Sequence, residues 1–205
     1  LFADDKIDIL REKPNTYTEL IFDESKAIHM IEGFRQSYLY FDKYRKDLLD
    51  MFVPKYTLES ETQVLLEMIE SEEYPVSVHI RRGDYVKIGC CVDLRYYEVA
   101  MQKIALNRKK CTFFVFSDDI AWVKENLNYQ KHHVFFVDHK RKIKPYSDIW
   151  AMTKCKANII ANSSFSWWGA WLNENKDKLV IAPDRWFNNI QAPDVICDSW
   201  IKVEV

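Results

Sequence analysis

From Tyr74 onward the chain alternates short β-favouring runs with segments of helical length, and few features limit a fold more tightly. Val76 to Arg81, Thr112 to Phe116, Val134 to Val137, Ala157 to Ala161 and Leu179 to Ala182 read as strands. Between them lie a helix from Leu94 to about Asn107 capped by Asp93, one to about Leu127 capped by Ser117-Asp118-Asp119, one over Ser147 to Cys155, and one over Ser163 to Glu174. Strands joined through helices require crossover connections, and these are right-handed. The pattern predicts an α/β fold, a doubly wound parallel sheet covered on both faces. That domain is expected over residues 74–205, with the tail carrying Trp186, Phe187 and Trp200 packed back on the body.

Residues 1–73 read differently, as a largely helical N-terminal segment. Phe41, Tyr44, Leu48 and Met51 recur at helical spacing, which predicts an amphipathic helix over Ser37 to Phe52 stopped by Pro54. A second helix is expected over 58–71, with Ser60 to Gln63 as a capping box. Pro14-Asn15 signals a turn and Glu19 to Phe22 a short strand. Leu1-Phe2-Ala3-Asp4-Asp5 resembles the interior of a longer sequence, so the segment is expected to be incomplete.

Composition narrows the function classes. The 205 residues are 48% hydrophobic and 29% charged, an ordinary globular balance, and a formal charge of −2 argues against a nucleic-acid partner. No apolar run approaches the length of a membrane span. The five cysteines have neither metal-ligand nor disulfide-framework spacing, so a reducing, cytoplasmic compartment is expected and no metal site is assigned. With four glycines there is neither a G-x-x-x-x-G-K-[ST] loop nor a G-x-G-x-x-G turn, which argues against a P-loop NTPase and a standard dinucleotide oxidoreductase.

Ligands of doubly wound sheets bind beyond the carboxyl ends of the strands. Those ends supply His79-Ile80-Arg81-Arg82-Gly83-Asp84, Ser117-Asp118-Asp119, Asp138-His139 and Asn162-Ser163-Ser164. The two-residue period sets Val76, Val78 and Ile80 on one face and Ser77, His79 and Arg81 on the other. Arg81 offers the planar fork that suits a diphosphate, and a salt bridge to Asp84 is expected from Arg82. A histidine on such a face is commonly a satisfied core residue. The turn at Asn162 to Ser166 opens a helix that is apolar all round. Its free N–H groups and the hydroxyls of Ser163, Ser164 and Ser166 can face an anion. The alternative is an ordinary N-cap at Asn162 or Ser163 with the tryptophans as core.

Three motifs in order, His79-Ile80-Arg81-Arg82-Gly83-Asp84-Tyr85, Phe116-Ser117-Asp118-Asp119 and Asn162 to Leu172, resemble the bacterial α-1,2-fucosyltransferases of glycosyltransferase family 11. Ile31-Glu32-Gly33-Phe34-Arg35-Gln36-Ser37 and the helix after it resemble the part of that family just before the donor domain. The resemblance implies the Rossmann-like donor domain of a GT-B-like enzyme that moves L-fucose from GDP-β-L-fucose to the 2-hydroxyl of a terminal galactoside, with inversion. It implies no metal and no cofactor beyond the donor substrate. His79 and Arg81 are then expected at the nucleotide and its phosphate, and Asn162, Ser163, Ser164, Phe165 and Ser166 at the second phosphate contact. Ser117 and Asp118 would line the ribose or guanine. Partners would be the nucleotide sugar and a galactose-terminated glycan, with peripheral attachment at the inner face of the membrane as an option. The family's Gly-rich G-G-L-G-N-Q opening is absent, which favours as an alternative a noncatalytic nucleotide-sugar or glycan-binding module.

In the transfer reading Arg81 and the serine turn stabilise the charge that grows on the departing GDP. Asp84 is the first candidate for the base, although a carboxylate so near two arginines is a weak one and a structural role is the alternative. Asp148 is the second candidate, with helix capping as its alternative, and a base from the incomplete N-terminal region is the third.

Overall fold

The computed structural model describes residues 6–13, 16–55, 57–108, 110–138, 144–187 and 194–204. In order, the chain forms β1 (Ile7–Arg11), β2 (Ile28–Glu32), α1 (Arg45–Met51), α2 (Ser60–Ser71), β3 (Pro75–Ile80), α3 (Gly83–Ile88), α4 (Leu94–Asn107), β4 (Thr112–Ser117), α5 (Ile120–Asn126), β5 (His133–Phe136), α6 (Pro145–Thr153), β6 (Ala157–Ile159), α7 (Ser164–Trp171), β7 (Leu179–Pro183) and β8 (Ile201–Val203). Contacts gather residues 1–51 with 189–198 into one unit and residues 52–188 with 199–205 into another. The turn at Pro14-Asn15, the rim residue His139 and the opening Leu1 to Asp5 lie outside the described residues.

The larger unit is the α/β domain. Its sheet has six parallel strands in the order β5-β4-β3-β6-β7-β8. Numbered within the sheet this is 3-2-1-4-5-6, the doubly wound order of a Rossmann-like domain, and the order reverses between β3 and β6. Burial explains the apolar runs: β3 is buried at all six positions and β4 at its first five, as central strands covered on both faces must be. One face packs Val76, Val78, Ile80, Phe113 and Val115 against Tyr96, Tyr97, Met101 and Ile104 of α4. The other packs Phe114 and Phe116 with Leu65 and Ile69 of α2 and with Ala151 and Met152 of α6.

That second cluster moves the expected boundary. The sequence reading ended the N-terminal segment at residue 73, but α2 covers the sheet and the division falls after Met51. The capping box is also replaced: Ser60 Oγ donates to Glu61 Oε2 and the Gln63 side chain donates to Leu58 O, so Glu59 precedes α2 without a side-chain cap. A sixth strand, β8, pairs Ile201 to Val203 with Ile181 to Pro183. It seats the tail as expected, with Trp186 and Trp200 buried and the Trp200 ring 5.5 Å from Trp167.

In the smaller unit β1 and β2 form a parallel pair, Ile7 beside Ile28 through Arg11 beside Glu32. No strand forms over Glu19 to Phe22, where Ile21 and Phe22 are exposed and bury no apolar face. The helix expected over Ser37 to Phe52 divides into 3-10 turns at Tyr38–Tyr40 and Asp42–Tyr44 followed by α1, because Phe41 between them leaves helical geometry at φ −136° and ψ −1°.

A buried polar network fixes α7. Asn158 Nδ2 donates to Ser77 Oγ at 2.7 Å and Met152 O at 2.9 Å, while Asn173 Nδ2 donates to Cys155 O at 2.7 Å and Asn158 Oδ1 at 2.9 Å. Lys178 Nζ donates to the carbonyls of Ala170, Trp171 and Asn173 at the helix's end. Gly169 lets the helix approach α6, since a Cβ there would lie 2.9 Å from Met152 Cβ.

Candidate functional site

Strand register decides what meets at the carboxyl edge. Ile80 stands beside Ser117, so the residues after them, Arg81 and Arg82 on one side and Asp118 and Asp119 on the other, emerge together. Across the reversal Val78 stands beside Ile159, which delivers the Asn162 to Ser166 turn to the same crevice.

Arg82 N donates to Asp118 Oδ1 at 2.8 Å, and Arg81 Nη1 pairs with Asp118 Oδ2 at 3.1 Å. Asp118 therefore stitches the end of β4 to the end of β3. Gly83 makes room for it, because a Cβ at 83 would lie 2.5 Å from Asp118 Oδ2. Arg81 Nη2 also donates to Asp84 Oδ1 at 2.7 Å, and the guanidinium lies 5.4 Å from the Tyr85 ring. The expected Arg82–Asp84 bridge is thus made by Arg81. Arg82 turns the other way, its guanidinium 3.2 Å from the centre of the Trp122 ring and its Nε donating to Asp119 Oδ2 at 3.1 Å. Asp119 caps α5 as expected, accepting from Trp122 N, and Ser117 Oγ accepts from Asp119 N.

His79 is 4% exposed, with its ring 5.2 Å from Phe165 on the face opposite the α4 core, as the two-residue period requires. Burial, with the Arg81 charge adding to it, pushes its pKa down to about 3, so the imidazole is neutral. Among the described residues its Nδ1 has no hydrogen-bond partner, nor do the buried Arg81 Nε and Asn162 Oδ1. Three orphaned polar atoms at one strand-end crevice are unusual in a folded chain, where buried polar groups are nearly always paired.

At the serine turn the hydroxyls do different things. Ser163 precedes α7 with extended backbone and no side-chain cap, and is buried, whereas Ser164 is exposed. The first-turn N–H groups of α7 have no acceptor within the helix. Ser166 is fully buried and spent inside the turn, accepting from Ala161 N and donating to Ser163 O. Asn162 Nδ2 donates to Cys90 O and Trp186 O, holding the turn against α3's exit and the tail. Tyr85, to which the sequence reading gave no role, joins the halves: its hydroxyl donates to Asn162 O at 3.2 Å, and burial raises its pKa. Gly83 directly after an arginine pair was the available signal for the close approach of Asp118. Of the two other rim carboxylates, Asp138 pairs with Lys124 at 3.1 Å and Asp148 lies in the first turn of α6.

Among the described residues no cluster of three or more histidine, cysteine or carboxylate side chains could hold a metal ion, and no helix is long and apolar enough to cross a membrane. The crevice instead combines a guanidinium, an open helix start and a neutral buried imidazole, a set suited to anionic and heteroaromatic groups together.

The sequence is similar to two Escherichia coli proteins. It is 32% identical over 189 residues to the O-antigen biosynthesis glycosyltransferase WbnK, covering 89% of this chain and 60% of the relative. It is 34% identical over 206 residues to an alpha-1,2-colitosyltransferase, covering 95% and 69%. It is 27% identical over 190 residues to galactoside alpha-(1,2)-fucosyltransferase 1 of Leontopithecus chrysomelas, covering 84% and 52%. The chain thus spans between half and about two thirds of the length of these relatives. The pattern that defines glycosyl transferase family 11 matches residues 13–204. With that match over most of its length, the chain belongs to glycosyl transferase family 11.

Proposed function

We propose that this chain is the donor-binding part of an inverting, metal-independent α-1,2-fucosyltransferase that moves L-fucose from GDP-β-L-fucose to the 2-hydroxyl of a terminal galactoside. The observation that carries the reading is the joining of two anion-suited elements, the Arg81 guanidinium and the start of α7, through Tyr85 at the point where the strand order reverses. Charge that develops on the β-phosphate as the sugar leaves would be met there by fixed donors, and stabilisation that grows toward the transition state is what accelerates transfer. Neutral His79, with an unpaired Nδ1, suits the nucleotide side, as do Ser163 and Ser164 the second phosphate. Asp118, already bonded twice to the arginine loop, is better read as a brace than as a ribose ligand. Asp84 stays the first candidate for the base, since its side chain is 64% exposed beside Arg81. The work would be done on the cytoplasmic side, with a galactose-terminated glycan as the acceptor.

The relative named for colitose supports a second reading, the same site with colitose as the transferred sugar. Transfer assayed with GDP-fucose and with colitose on the same nucleotide, over a panel of galactosides and with EDTA present, separates the readings. Fucose transfer in EDTA is the expected outcome. Colitose transfer alone selects the second reading, a strict need for added Mg²⁺ or Mn²⁺ refutes the metal-free mechanism, and GDP binding without any transfer leaves a binding module.

A further inference from the structure

Arg81 is held by two carboxylates whose surroundings differ. Asp118 accepts from both Arg81 Nη1 and Arg82 N, its side chain is 28% exposed, and a Cβ at Gly83 would lie 2.5 Å from its Oδ2. Among the described residues Asp84 pairs with the Arg81 guanidinium alone, at 2.7 Å, and its side chain is 64% exposed in the first turn of α3. Carboxylate and phosphate oxygens fit the same guanidinium fork. We propose that the two have opposite duties toward an incoming anion: Asp118 is a positioning residue that aims Arg81, and Asp84 occupies the place of the diphosphate and gives it up when the diphosphate binds.

The inference rests on the reading of Arg81 as the donor-phosphate contact. It follows from elementary electrostatics. An exposed carboxylate loses little on release, because water resolvates it, whereas Asp118 cannot leave without stranding the Arg82 N–H. A phosphate brings more negative charge and more acceptor oxygens than Asp84, and the guanidinium has donors left over from its two carboxylate contacts. Release also frees the Asp84 carboxylate from its ion pair with Arg81. Donor binding would then precede acceptor activation, which couples the order of substrates to the chemistry.

The test exploits a sign. Asp84→Asn and Asp118→Asn each remove one negative charge beside the same arginine, so a pure charge effect would tighten anion binding in both. Calorimetric titration with inorganic pyrophosphate and with GDP is expected to show Asp84→Asn binding about fivefold tighter than the unaltered chain, the upper range for one exposed competing charge. Asp118→Asn should bind about tenfold or more weaker, since a charge-assisted contact that aims the guanidinium is lost. Both differences should vanish in an Arg81→Ala background. Tightening in both variants would overturn the positioning role of Asp118, and weaker or unchanged binding in Asp84→Asn would overturn the displacement. Failure of the unaltered chain to bind GDP would instead bring down the donor-site reading, and this inference with it. Thermal melts of the Asn variants separate misfolding from aiming, and Asp84→Asn, exposed, carries the test if Asp118→Asn does not fold.

Discussion

Replacing Gly83 by alanine tests the arginine loop with a single methyl group. The added Cβ would sit 2.5 Å from Asp118 Oδ2 and 3.3 Å from its Cγ. Ordinary nonbonded contact lies near roughly 3.5 Å, so the carboxylate must retreat by about 1 Å. That carries the 2.8 Å hydrogen bond from Arg82 N beyond bonding range and opens the 3.1 Å pair with Arg81. The first loss costs about 1.5–3 kcal/mol as a hydrogen bond to a charged group. The second, between side chains near 30% exposed, adds at most about 1 kcal/mol after solvent screening. A combined loss of about 1.5–4 kcal/mol, at about 1.4 kcal/mol per factor of ten, weakens donor affinity by about 10- to 700-fold if the whole of it falls on the site. Whatever share falls on the unliganded fold instead lowers the melting temperature by about 2–4 °C per kcal/mol. GDP titration with a parallel melt reads both quantities. Full donor affinity in Gly83→Ala would refute the brace and the aiming of Arg81 together.

Other expectations are simpler to state. His79, neutral in the folded chain because burial lowers its pKa to about 3, takes up a proton on unfolding once the pH falls below 6.5. Its contribution to stability is therefore whole at neutral pH and is lost between pH 6.5 and 3, with a slope of up to about 1.4 kcal/mol per pH unit; melts at pH 7.5 and 5 should show His79→Gln with the flatter dependence. Gly169→Ala drives a methyl to 2.9 Å from Met152 Cβ and should cost about 1–3 kcal/mol by overpacking, read as a lowered denaturant midpoint at unchanged slope. Asn173→Ala strands the Cys155 carbonyl and Asn158 Oδ1 in the core and should cost about 2–4 kcal/mol in the same assay. Trp122→Ala removes the ring beneath Arg82 and should lower stability by about 1–2 kcal/mol while sparing pyrophosphate affinity.

The sheet was legible because parallel strands covered on both faces must be continuous apolar runs, and Phe113 to Phe116 or Val76 to Ile80 could be little else. The sixth strand was not, since Ile201-Lys202-Val203 has two exposed residues and no strand-length apolar pattern. β1 and β2 escaped for the same reason: their burial is intermediate or exposed at every position, so neither shows the two-residue alternation that sequence can reveal. At the site, residue types and strand-end positions pointed to His79, Arg81, Asp118 and the serine turn. The pairing of Arg81 with Asp84 was misassigned because it depends on which way two adjacent side chains leave a strand end. Trp122, forty residues on, draws Arg82 away, and no local pattern encodes that. Ser166 could not be told from Ser163 or Ser164 by composition either, since only the fold shows its hydroxyl closed inside the turn.

Arg81 and the start of α7 are proposed to form one site for the donor diphosphate. Titration of GDP into the unaltered chain and into Arg81→Ala, each with a melt recorded beside it, tests it most directly. Saturable binding that weakens by at least about tenfold in the variant, at a melting temperature within a few degrees, is the expected result. Equal affinity in the two proteins would contradict it.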